Sequence, residues 1–150
     1  MDIERAKKVF PKFFENFEYK IPEGAKAENI EVYRLCLSGS LDREAFYGSY
    51  ECAIIKKLSV SKEITEDSKD PGHYSTSCFE KARDIRNMKK CFTKHAPEVI
   101  VAKGITESSC GVCQRTKERT GKNNSHIDWW VYEESNPQNH FKVVSDDEIK

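Results

Sequence analysis

Apolar positions recur at helical spacing near the start of the chain: Ile3, Ala6, Phe10, Phe13, Phe14 and Phe17, with Asp2 placed as an N-cap and Pro11 interrupting the pattern midway. This predicts an N-terminal helix, or a kinked pair, that lays aromatic rings on a sheet. Residues 19–29, with Pro22 and Gly24, read as a connection into a strand over 30–37 whose apolar residues occupy both faces, the mark of a central strand. Ser38-Gly39-Ser40 makes a turn, 41–50 a short helix, and 52–58 a further strand. The polar, acidic stretch 59–72 ends in Asp70-Pro71-Gly72 and suits a loop.

Strand character returns at 73–76. Ser77 and Glu80 then match the Ser-x-x-Glu capping box, which predicts a helix starting near Ser77 with Cys78, Ala82, Ile85, Met88 and Phe92 on one face. That helix should end near Lys94, before Pro97. The β-branched run 98–105 reads as a buried strand, 110–126 as a loop or hairpin, and 127–132 and 140–144 as two further strands. Residues 145–150 read as a flexible acidic tail. The mixture predicts one α+β domain over 1–150 with a mixed or antiparallel sheet.

Composition narrows the classes. Hydrophobic residues make up 37% and charged residues 33% of 150, the range of one globular domain. Lys plus Arg and Asp plus Glu both total 25, so no global field draws the chain to nucleic acid or an anionic membrane. With a mixed-charge start and no run of membrane-spanning length, the expected location is cytoplasmic, with no membrane partner. Six cysteines in that setting read as buried thiols or metal ligands rather than disulfides, with Cys36 and Cys52 placed in the core.

Four groupings carry candidate chemistry. Cys110-Gly111-Val112-Cys113 is half of a structural zinc site, with His126 as the nearest further ligand; ordinary thiols and a redox pair are the other readings. His126 and Asp128 share a strand face and make a base and orienter for either cysteine as nucleophile. Arg115, Lys117, Arg119 and Lys122, followed by Trp129-Trp130, form a basic stretch that would serve a nucleic-acid or protein partner. A zinc-stabilised, non-enzymatic binding module would use these features together.

The fourth grouping is Arg34 on its strand with the small hydroxyls Ser75-Thr76-Ser77, a combination suited to an anionic nucleotide. Here the chain resembles the arginine-serine-glutamate class of ADP-ribosyltransferases, in which an aromatic-Arg strand is followed by an aromatic-x-Ser-Thr-Ser strand. Tyr33-Arg34 and Tyr74-Ser75-Thr76-Ser77 stand in those places, and the resemblance covers roughly residues 30–144. The resemblance implies a cleft for NAD or ADP-ribose in which Arg34 holds phosphate, Ser75 and Ser77 orient the ribose, and Tyr74 or Trp129 stacks on a ring. The family's late strand opens with Glu-x-Glu or Gln-x-Glu. This chain has Ser125-His126-Ile127-Asp128 there, which makes Asp128, or Glu133 further along, the acidic residue of any ADP-ribose transfer.

Overall fold

A computed structural model describes residues 8–48, 50–51, 70–93, 98–121 and 123–149. Six strands form one antiparallel sheet: β1 (Glu31–Cys36), β2 (Thr76–Phe79), β3 (Ile100–Ile105), β4 (Gly111–Arg115), β5 (His126–Val131) and β6 (Phe141–Val144). Their spatial order is β4-β5-β2-β1-β3-β6. Among the described residues two α-helices of a full turn or more accompany them, α1 (Ala82–Thr93) and the single turn α2 (Lys117–Thr120). The fold is one α+β domain. No helix among the described residues is long and apolar enough to cross a membrane.

The strand alternation sorts side chains onto two faces. On one, Val32 and Cys36 of β1, Ala102 of β3, Ile127 and Trp129 of β5 and Cys113 of β4 share an apolar cluster. The 3-10 turn Arg43–Phe46 closes this side, with Phe46 against Trp129 and Phe141. The other face carries two separate clusters. Helix α1 sets Ile85 and Ala82 over Leu35, Phe79 and Val101, while Phe14, Phe17 and Tyr74 gather around Trp130. Between them lies a polar strip centred on Asp128.

Several elements differ from the sequence expectation. The capping box at Ser77 does not form, because Thr76–Phe79 pairs residue by residue with His126–Trp129 and the ladder holds the chain extended past Ser77. Helix α1 therefore begins at Ala82, and Cys78 lies in a strand on the opposite face rather than on the helix. Residues 73–76 are split between the 3-10 turn Pro71–Tyr74 and the start of β2. The described part of the aromatic N-terminal segment is a 3-10 turn, Lys12–Asn16, starting after Pro11. Nor is the tail loose over its described part: Asp146–Ile149 is a 3-10 turn with Ile149 2% exposed, and Arg86 donates to the Ile149 carbonyl at 2.8 Å. The strand expected over 52–58, the loop over 59–69 and Cys52 lie outside the described residues.

Candidate functional site

In the register of β2 against β5, Ser77 faces Asp128 and Thr76 faces Trp129. Alternation then puts Ser75, Ser77, His126 and Asp128 on the face with the polar strip, and Thr76, Ile127 and Trp129 on the other. Asp128 is 1% exposed and accepts three hydrogen bonds: from Ser75 Oγ at 2.7 Å, Thr116 Oγ1 at 2.8 Å and Arg119 Nη2 at 2.8 Å. A buried carboxylate needs such a set, since its desolvation is offset only when both oxygens are occupied. Ser75 also donates to the Gly72 carbonyl at 2.9 Å, sharing its proton between the turn and the strand.

Arg119, on α2, ties the strip to its surroundings. Its Nη2 reaches Asp70 Oδ1 at 2.9 Å as well as Asp128, and its Nη1 donates to Gln114 Oε1 at 3.0 Å. Burial pushes the Asp70 carboxyl upward, but the Gly72 N–H and the Arg119 guanidinium outweigh it and leave it below its usual value. His126 Nδ1 contacts Thr116 Oγ1. A hydroxyl has one proton, and Thr116 gives it to Asp128, so the imidazole nitrogen is the donor in that contact. The chain Asp128, Thr116, His126 is thus a short relay of hydrogen bonds leading from the buried carboxylate to a half-buried ring.

Of the residues singled out by sequence, the structure joins Ser75, Ser77, Asp128 and His126. Arg34 is elsewhere: it projects to the opposite face, where Nε, Nη1 and Nη2 donate to the carbonyls of Ala45, Ser77 and Tyr47 at 3.0, 2.8 and 3.0 Å. All three guanidinium nitrogens are spent on the backbone, so Arg34 as placed has no edge to offer a phosphate. Trp129 is fully buried against Phe46 and Phe141 and has no face for a ligand ring. Tyr74 is buried between Phe14 and Phe17 and donates to the Tyr19 carbonyl at 2.7 Å. Glu133 lies beyond the end of β5, with its backbone N–H on the Val9 carbonyl, away from Asp128.

The zinc grouping is not assembled. Cys113 shares a face with Ile127 and Trp129, so His126, one residue from Ile127, projects to the other side of the sheet. Cys110 and Cys113 are 3% and 2% exposed within the apolar cluster, and burial pushes both thiols up. Among the described residues no group of three His, Cys, Asp or Glu side chains is placed to hold a metal. The same separation of faces keeps Cys113 from the His126–Asp128 pair as a nucleophile. Two residues of the basic stretch are paired: Arg115 with Glu80 through two 3.1 Å bonds, and Arg119 with Asp70 and Asp128, while Lys122 lies outside the described residues.

Asp70, Thr116 and Arg119 are members of the strip that sequence reasoning did not select for it. Asp70 read as a turn residue and Arg119 as part of a basic surface, and no local signal tied either to Asp128. Comparison of the chain with known protein families, with curated proteins and with solved structures gives no match.

Proposed function

We propose that the protein binds a nucleotide of the NAD or ADP-ribose type at the strip formed by Ser75, Ser77 and Asp128. One observation carries this reading: Ser75 Oγ donates to Asp128 Oδ1 at 2.7 Å across adjacent strands. The resemblance noted in the sequence calls for an arginine strand, a Ser-Thr-Ser strand and a late acidic strand to meet. Here β1, β2 and β5 lie side by side.

The residues present suit a ribose. A carboxylate fixed by a serine and a threonine hydroxyl accepts from vicinal hydroxyls with both oxygens already oriented. Entry requires Arg119 to leave Asp128. It is carried on a single helical turn, and a small displacement that breaks its Nη2 bond to Asp128 frees that donor for a diphosphate while Asp70 and Gln114 still hold the side chain. Arg119 takes the part that Arg34, bound to three carbonyls, does not. If transfer follows, the bond from ribose C1′ to the nicotinamide nitrogen breaks, its electron pair leaves with nicotinamide, and an acceptor nucleophile forms the new bond and loses its proton. The Asp128 carboxylate would stabilise the positive charge that develops on the ribose.

Isothermal titration with NAD and ADP-ribose tests the reading. The wild-type protein is expected to bind at least one of them, S75A to bind about ten-fold more weakly through loss of one hydrogen bond, and D128N to lose binding while still melting cooperatively. Absence of binding by the wild type at millimolar nucleotide, or a folded S75A and D128N with unchanged affinity, would overturn it.

A further inference from the structure

A cavity of about 340 Å³ opens between the N-terminal segment and the end of β5, lined by Lys12, Phe13, Arg43, Tyr47, Glu51 and Glu133. Its notable member is Arg43. The Nε and Nη1 of this side chain are shielded from solvent and have no hydrogen-bond partner among the described residues. Nη2 makes only long contacts, 3.3 Å to the Tyr132 carbonyl and 3.4 Å to the Glu133 carbonyl, and the guanidinium carbon stands 5.9 Å from the centre of the Tyr47 ring. The contrast with Arg34 is direct, since there every guanidinium nitrogen has a carbonyl at 2.8–3.0 Å. Buried guanidinium donors are seldom left without acceptors, and where they are, a missing ligand is one physical reason.

Charge and shape restrict what that ligand is. Arg43 and Lys12 are balanced by Glu51 and Glu133 around the same cavity, so a polyanion gains from two groups and is repelled by two. Glu51 accepts the Gly48 N–H at 3.0 Å, and burial pushes its carboxyl above the usual range. The Phe13 and Tyr47 rings supply an apolar wall. We propose that this cavity binds a small carboxylate that carries its own hydrogen-bond donor, the class of α-amino and α-hydroxy acids. Its carboxylate goes to Arg43, its ammonium or hydroxyl to Glu133, and its side chain lies on Phe13 and Tyr47. Held only by two long bonds, the Arg43 side chain turns its unpaired edge toward the bound carboxylate. The proposal does not rest on the nucleotide reading, since neither Ser75 nor Asp128 lines this cavity.

The test is titration of ¹⁵N-labelled full-length protein with a panel of amino acids, hydroxy acids and inorganic phosphate, following the arginine Nε–H signals. At least one organic acid is expected to shift one such signal saturably, and R43K to remove that signal and weaken binding about ten-fold. E133Q, at an exposed position that leaves the core intact, is expected to weaken amino acids while sparing simple carboxylates. The proposal is overturned if no acid moves an arginine signal at millimolar concentration, if phosphate binds as well as the best acid, or if E133Q and a folded R43K both leave affinity unchanged.

Discussion

Ser125 shows how much a single side chain can do from outside the element it serves. Its Oγ accepts the Lys81 N–H at 3.0 Å and donates to Asp84 Oδ2 at 2.6 Å, while its own N–H reaches the same oxygen at 3.0 Å. It therefore tethers the start of α1 to the residue just before β5, forty-one residues beyond Asp84. Sequence offered Ser77 as the cap of this helix, because a capping box is read from neighbours, whereas a tether delivered through the fold leaves no local trace. S125A is expected to cost about 1–2 kcal/mol, with a smaller loss for the same change in a D84N background, both read from urea midpoints. S77A should cost less than S125A, since the hydrogen bond involving Ser77 runs through its carbonyl to Arg34 and survives the change. The Arg34 case has the same origin: residue type suggested an anion ligand, and only the placement of the 43–47 segment turns its guanidinium to the backbone.

At the level of elements, four of the six strands were legible, while β2 was read as a helix start, β4 as part of a loop or hairpin, and the strands' neighbours not at all. The runs over 30–37, 98–105 and 140–144 each contain an observed strand and 127–132 overlaps one, because alternation and β-branching are written in consecutive residues. Which strand lies beside which depends on long-range pairing, so the contact of Ser75 with Asp128 was legible only as far as the resemblance implied it. Close packing between strands is equally hidden. At Gly104 of β3, opposite Phe141 in β6, an added Cβ would collide with the His140 carbonyl and come within 2.5 Å of the Phe141 ring. G104A is expected to cost more than about 2 kcal/mol by forcing β6 outward. Amide hydrogen exchange should place the loss of protection at 141–144 first, and uniform loss across the sheet would count against this local cause.

For the whole molecule, titration sets two limits on stability. On the acid side, the Ser125 hydroxyl and N–H hold Asp84 below its usual value, and the Gly72 N–H with Arg119 does so for Asp70 against the opposing effect of burial. A depressed carboxyl contributes stability above its unfolded value and loses it as pH falls through its folded value. On the alkaline side, burial raises Cys36 to about 11 and Cys78 and Tyr74 to about 12. Their contribution is whole below the unfolded values and is lost as pH climbs through 11–12. Urea midpoints should therefore be flat near neutrality, fall below about pH 4 and fall again above about pH 9. Y74F should lower the plateau by about 1 kcal/mol through its lost bond to Tyr19 and make the alkaline limb shallower. An alkaline limb unchanged in Y74F would remove Tyr74 from this account.

The position of β5 between β4 and β2 also has a consequence in time. A chain emerging from the ribosome can pair β1 with β2 and β3 as soon as residue 105 is free, but β2 then has one neighbour only. Its second arrives with residues 126–131, and with it come Asp128 for Ser75 and the Trp130 indole N–H for the Pro71 carbonyl. Closing the sheet and assembling the polar strip are one event, placed late in synthesis, when the long-range contacts form. A fragment ending before residue 126 holds the hydroxyls without the carboxylate, so an unfinished copy of this chain lacks the polar strip until β5 joins the sheet.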